Sequence, residues 1–365
     1  MGSRRRGWVG LAVALATVGT AGAVAPYHLE RLETHHAQIV LHAHAEPLGD
    51  PRRNLVSWVL LSSKPPANNA DQCEVKRITA VNGQTVVWTD CKPEAELAPY
   101  ELAVQRCDLP YDDAHRKLDV TVVTTATVYK SGLRMGRPRP EQTVALTEAE
   151  RAECTKETEA LDFKSPEFQA AVARSGLDKR LPGETSREVV ARFYRALVRG
   201  TYYSVDESHW PKLSQAVTHA TVCCESAAMI TVGALRNLGV PCYVVFCDCL
   251  KPGTATHNVA GHAVVKFYDE VALNWCWLDP TVVLPPVGMA KAHALDFPAF
   301  DAAAYALTDA TALYFTEGTG GWVKLPNVNG VLSSACGVMI TTAHTGDGPV
   351  LLNGGDIFWS SRLLD

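Results

Sequence analysis

CCESAAMITVGALRNLGVPC (residues 223–242), followed by GHAVVKFY (261–268) and LNWCWLDPT (273–281), is the stretch of this chain whose reading decides its fold. Behind Cys224 the residues Ala227, Ile230, Thr231, Ala234, Leu235 and Leu238 recur at helical spacing, and Gly239 closes the helix ahead of Val240 and Pro241. Cys224 therefore heads a helix. Unpaired backbone N–H groups and the positive end of the helix dipole favour a thiolate there, and the same end can hold an oxyanion. Residues 242–247 read as a strand, residues 261–268 as a second strand opened by His262, and residues 272–278 as a third that ends in Asp279, Pro280 and Thr281. If the second and third strands pair antiparallel, the imidazole at the start of one meets the carboxylate at the end of the other, and its far side is left for the thiol. Cys224, His262 and Asp279 are the candidate catalytic residues, with Asp279 fixing the tautomer and stabilising the imidazolium.

Around this stretch, the composition excludes several classes. The chain has 365 residues, 47% of them hydrophobic, which is ample for a core. Net charge is -5 and no Lys/Arg stripe interleaves with aromatics, so nucleic acid is not an expected partner. The 11 cysteines contain no facing CxxC pairs, and Cys247 and Cys249 are spaced wrongly for a structural zinc module. His35, His36, His42 and His44 cluster locally without Cys or carboxylate beside them, and read as surface histidines. No metal and no cofactor is expected.

The organisation changes along the chain. Residues 1–25 read as a signal peptide or signal anchor: Arg4, Arg5 and Arg6 precede an apolar run from Trp8 to Val18 and small residues up to Ala25. That implies secretion, or anchoring of an extracytoplasmic protein through this segment. Residues 34–131 carry short β-branched runs broken by turn residues, an N-terminal antiparallel β domain. Within it, Val81-Asn82-Gly83 reads as a three-residue hairpin loop that pairs Ala80 with Gln84 and carries Cys73 opposite Cys91, a candidate disulfide in an oxidising compartment. Residues 132–146, with two prolines and two glycines in nine residues, read as a linker. Thr147 with Glu150 and Thr185 with Glu188 fit capping boxes, and Ser165-Pro166 fits an N-cap followed by Pro. The helix from Ser186 to Arg199 presents Val189, Val190, Phe193, Ala196 and Leu197 on one face. A catalytic domain over 147–290 is followed by a C-terminal extension, 291–365, with a helix expected near Ala302 to Phe315.

Cys224, Ala228, Arg236, Gly239 and Pro241, then Gly261, His262 and Ala263, then Trp275, Leu278, Asp279, Pro280 and Thr281 fall into one register that resembles the transglutaminase-like superfamily over about Thr185 to Pro286. The resemblance implies an α+β fold: a papain-like core, with the nucleophile helix packed on an antiparallel sheet, preceded here by the β domain. It also implies a Cys-His-Asp thiol enzyme acting on an amide bond of a protein or peptide substrate, either a hydrolase (protease or amidase) or a protein-crosslinking transglutaminase. A catalytically inactive extracytoplasmic binding module is the alternative from another class. The sequence departs from the pattern at Cys223, which doubles the thiol, at Val264, where an aromatic is usual and whose smaller side chain would leave the site more open to water, and at Lys266, where an acidic residue is common. The second oxyanion donor has no clear signature; His209, Trp210 and Gln215 lie in the right segment without marking one.

Overall fold

The computed structural model describes residues 27–48, 55–63, 72–91, 104–135, 138–140, 143–204, 212–250, 256–257, 262–281, 284, 311–318, 331–333, 338–345, 352–354 and 358–364. The amino-terminal segment 1–26 and residues 285–310 lie outside them.

The strands are β1 (Tyr27–Pro47), β2 (Leu55–Ser63), β3 (Gln72–Val81), β4 (Gln84–Val86), β5 (Thr89–Cys91), β6 (Val104–Pro110) and β7 (Leu118–Met135). The helical part follows with α1 (Glu148–Thr155), α2 (Pro166–Arg174), α3 (Ser186–Gly200), β8 (Tyr202–Tyr203), α4 (Leu213–Ala216), β9 (Thr221–Val222) and α5 (Cys224–Asn237). Then come β10 (Cys242–Leu250), β11 (Thr256–His257), β12 (His262–Asp269), β13 (Asn274–Leu278), β14 (Thr311–Gly318), β15 (Val331–Ser333), β16 (Val338–His344), β17 (Leu352–Gly354) and β18 (Phe358–Leu363). The whole is a mixed helix and strand protein with antiparallel sheets.

In β1, Ala37, Ile39, Leu41, Ala43 and Ala45 are buried at every second position, the period a half-buried strand requires. β7 matches it with Leu118, Val120 and Val122. The two form the centre of a sheet ordered β11-β18-β1-β7-β3-β4, with β17 also on β1. A second sheet, β15-β16-β2-β6-β5, supplies Trp58, Leu60, Cys107 and Ile340 to the same core. His42 and His44 sit on the other side of β1, hydrogen-bonded to Thr121 (3.1 Å) and Asp119 (2.7 Å) of β7.

The hairpin register differs from the expectation. Val81 pairs with Gln84, so the loop is the two residues Asn82 and Gly83, both at positive φ (49° and 80°). Asn82 tolerates that conformation because its side chain is tied down: Nδ2 donates to Ala114 O and Lys117 O, and Oδ1 accepts from Asp119 N. The chain then leaves the sheet. Cys91 lies in β5, opposite Val104 of β6 in the second sheet, while Cys73 lies opposite Thr127 of β7. The expected Cys73–Cys91 bridge is not formed; Cys73 is a free thiol hydrogen-bonded to Tyr129 Oη at 2.8 Å.

Both capping boxes and the Ser165 cap are present. Part of the expected linker, residues 132–135, continues β7 and pairs with Tyr27 to Glu30 of β1. The segment after 291 joins both halves of the molecule. β14 takes the edge of the sheet β13-β12-β10-β14, and β15 to β18 complete the two β-domain sheets. Of the helix expected near Ala302–Phe315, residues 311–315 are strand, and the rest lies outside the described residues. Among the described residues no helix is long and apolar enough to cross a membrane, which says nothing of strands.

Candidate active site

Helix α5 starts at Cys224, runs to Asn237, and is closed by Gly239 at φ 74°, as the apolar spacing and the glycine dictate. Its buried face packs on Ala263, Val265 and Phe267 of β12 and Val244 of β10, all within one core. Gly233 lets α4 close on the helix: a Cβ there would lie 2.1 Å from Leu213 Cδ2. Arg236, part of the sequence pattern, is a buried clamp. It donates to Cys242 O through Nε (3.0 Å) and Nη2 (2.8 Å), and to Lys156 O (2.8 Å), so it fixes the end of α5 to the start of β10.

β12 and β13 pair antiparallel, with Val265 opposite Leu278 and Asp269 opposite Asn274. That register brings the start of β12 and the end of β13 to one end of the sheet. His262 Nε2 and Asp279 Oδ2 are 2.7 Å apart there. The imidazole is 22% exposed and the carboxylate 5%, so the base has access to solvent and its partner does not. The other carboxylate oxygen of Asp279 accepts from Thr281 N (2.9 Å) and Thr281 Oγ1 (2.7 Å). The buried Tyr194 of α3 donates to the Asp279 carbonyl. The Asp-Pro-Thr run thus locks its own carboxylate, and with Nε2 engaged, Nδ1 is the ring nitrogen through which the imidazole can exchange a proton with a thiol.

Two adjacent thiols begin the helix. Cys223 is the N-cap residue and is 5% exposed; its sulfur sits 3.6 Å from Ser226 Oγ, and burial pushes its thiol up against the hydrogen bonds from Ser226. Cys224 is only half buried. Cys154, Cys242 and Cys276 are buried structural thiols, with Cys154 pushed up to about 11 and Cys242 to about 12 by burial. Among the described residues no group of three His, Cys, Asp or Glu side chains is arranged to hold a metal.

Val264 and Lys266 are both buried, at 0% and 4% exposure, and they alternate on β12 with the residues that face α5. His209 and Trp210 lie outside the described residues, and Gln215 is exposed. Tyr203, which the resemblance takes in with Tyr202 without giving it a role, is half-buried on β8 opposite Val222, and its phenol is pushed up to about 12 by burial and by the charges of Cys224, Cys223 and Asp279.

The sequence model described as Transglutaminase-like superfamily matches residues 176–280. The chain carries a transglutaminase-like domain. It runs from the turn after α2 through α5 to the residue after Asp279, and so includes Cys224, His262 and Asp279. In fold, the whole chain is similar to a crystal structure described as a proposed cysteine protease from Cytophaga hutchinsonii, with 10% identity and a TM-score of 0.56 over 93% of each chain. The likeness in fold therefore extends beyond residues 176–280 to the sheets outside them. A crystal structure described as a TGase aligns at 12% identity and a TM-score of 0.22, over 47% of this chain and 46% of that one. No curated protein matches the sequence.

Proposed function

We propose that this chain is an exported thiol-dependent amide hydrolase, a protease or amidase, whose papain-like core works through Cys224, His262 and Asp279 and an acyl-enzyme. The observation that carries the reading is the His262–Asp279 hydrogen bond at one end of the sheet on which the Cys224 helix packs. His262 Nδ1 takes the Cys224 proton and the sulfur attacks the amide carbonyl. The backbone N–H of Cys224, at the first helical position, has no partner within its helix and donates to the oxyanion. His262 returns the proton to the leaving nitrogen as the C–N bond breaks. A water that loses its proton to the same imidazole then attacks the thioester, and the imidazolium returns that proton to the Cys224 sulfur as the C–S bond breaks and the acid leaves. Asp279 orients the ring.

Water is preferred to an amine as acceptor because the neighbour similar in fold over 93% of the chain is described as a proposed cysteine protease. Export rests on the Arg4–Arg6 and Trp8–Ala25 pattern alone. The deciding measurement is mass spectrometry of the products from a glutaminyl peptide or an activated ester, with and without millimolar labelled primary amine. Free acid in both cases, with an acyl adduct on Cys224, is the expected result. Dominant amine incorporation would mean a transglutaminase, and no adduct with any amide or ester would mean a binding module.

A further inference from the structure

In the mechanism proposed above Cys224 N–H is one oxyanion donor, and the sequence does not mark a second. β8 and β9 form a parallel ladder in which Tyr203 lies opposite Val222, and Ser204 N donates to Val222 O at 3.0 Å. Val222 leads directly into Cys223 and Cys224, so this ladder sets Tyr203 beside the start of α5. Its ring packs against the same core as Cys224. Among the described residues the hydroxyl of Tyr203 has no hydrogen-bond partner, unlike Tyr194, whose hydroxyl is spent on Asp279 O. A half-buried phenol with an idle O–H costs stability unless something else accepts from it.

Resting on the triad reading, we infer that Tyr203 is a catalytic residue that donates its O–H to the oxyanion formed when Cys224 attacks the substrate carbonyl. As the C–S bond forms, the carbonyl π pair moves to oxygen, and Tyr203 and Cys224 N–H stabilise that charge by hydrogen bonds. Neither proton is transferred. The pair returns to re-form the carbonyl as the C–N bond breaks, and the leaving nitrogen takes its proton from His262. Burial and the neighbouring negative groups keep the phenol protonated throughout the neutral range, the state a donor requires. The donor acts where charge develops and does little for the ground state.

The test compares two reagents on the full chain. Acylation by a p-nitrophenyl ester passes through an oxyanion, and alkylation by iodoacetamide does not. Tyr203→Phe should slow acylation of Cys224 by about 10²-fold with KM and Tm little changed, and leave the alkylation rate within about twofold. Equal slowing of both reagents would make Tyr203 a residue that only positions the thiol, and acylation at the wild-type rate would remove it from the reaction; either overturns the inference. Failure of the wild-type protein to be acylated at Cys224 would sink the triad reading and this inference together, and so is told apart from a defect confined to the Tyr203 variant.

Discussion

The two thiols at residues 223 and 224 are one backbone step apart and chemically unlike. Cys223 is buried, held near Ser226, and burial disfavours its thiolate, whereas Cys224 is half buried at the first helical position. Cys224→Ala should abolish turnover with Tm unchanged, and Cys223→Ala should keep most activity at some cost in stability, because it leaves a small cavity. Rates and melting curves of the two variants check this, and loss of activity only in the Cys223 variant would reverse the assignment. Asp279 is tied on both oxygens, to His262 and to Thr281. An Asn in its place can still accept from Thr281 N and Oγ1, but must present N–H₂ to His262 Nε2, and so favours the wrong tautomer. Asp279→Asn should lower kcat by 10²-fold or more with little change in Tm; an equally active variant would demote the carboxylate to a strand terminus.

At the scale of single elements, much was legible because the signals are local. Thr147, Ser165 and Thr185 cap their helices within three residues, Gly239 ends α5 in its own turn, and the triad candidates were ordered by the strands that carry them. What the sequence concealed depends on partners. The Ala- and Leu-rich run ending at Phe315 suits a helix by composition, yet 311–318 is a strand because β10 offers it an edge. Asn82 takes a turn position by virtue of carbonyls more than thirty residues away, and Cys73 and Cys91 part because β5 leaves this sheet to pair with β6. Gly233 is a further case, since nothing local says that α4 will lean on it. An alanine mid-helix is normally worth about 1 kcal/mol over glycine, but here its Cβ would lie 2.1 Å from Leu213 Cδ2 in a fully buried contact. Overpacking of that kind costs about 1–3 kcal/mol. Gly233→Ala should therefore lower stability in denaturant titration, and Gly233→Ala with Leu213→Ala should recover part of the loss; a stabilised single variant would show that α4 moves aside freely.

The whole molecule is held together by its last strands. β16 lies between β15 and β2, with Ile340 in the β-domain core opposite Leu60, and β18 runs along β1 from Ala37 to His42. The same segment reaches the transglutaminase-like part: β14 pairs with β10 and lies against β7, and β18 approaches β10. Residues nearly three hundred positions apart thus share a sheet, a long-range closure that no hydrophobic period records. A chain ending at residue 330 would keep the triad and α5 but bare the N–H and C=O row of β1 from Ala37 and of β2 from Leu55, two hydrophobic strands with open edges. Such a chain should aggregate or melt without cooperativity, and lose activity although every proposed catalytic residue is present. Strand edges of this kind accept an added strand, so a separate peptide of residues 331–365 should restore solubility and a cooperative melt when mixed during refolding. Calorimetry and sedimentation of the truncated chain with and without the peptide would test the point. A soluble, active, cooperatively melting chain without these residues would mean that the closing strands decorate the fold and do not hold it.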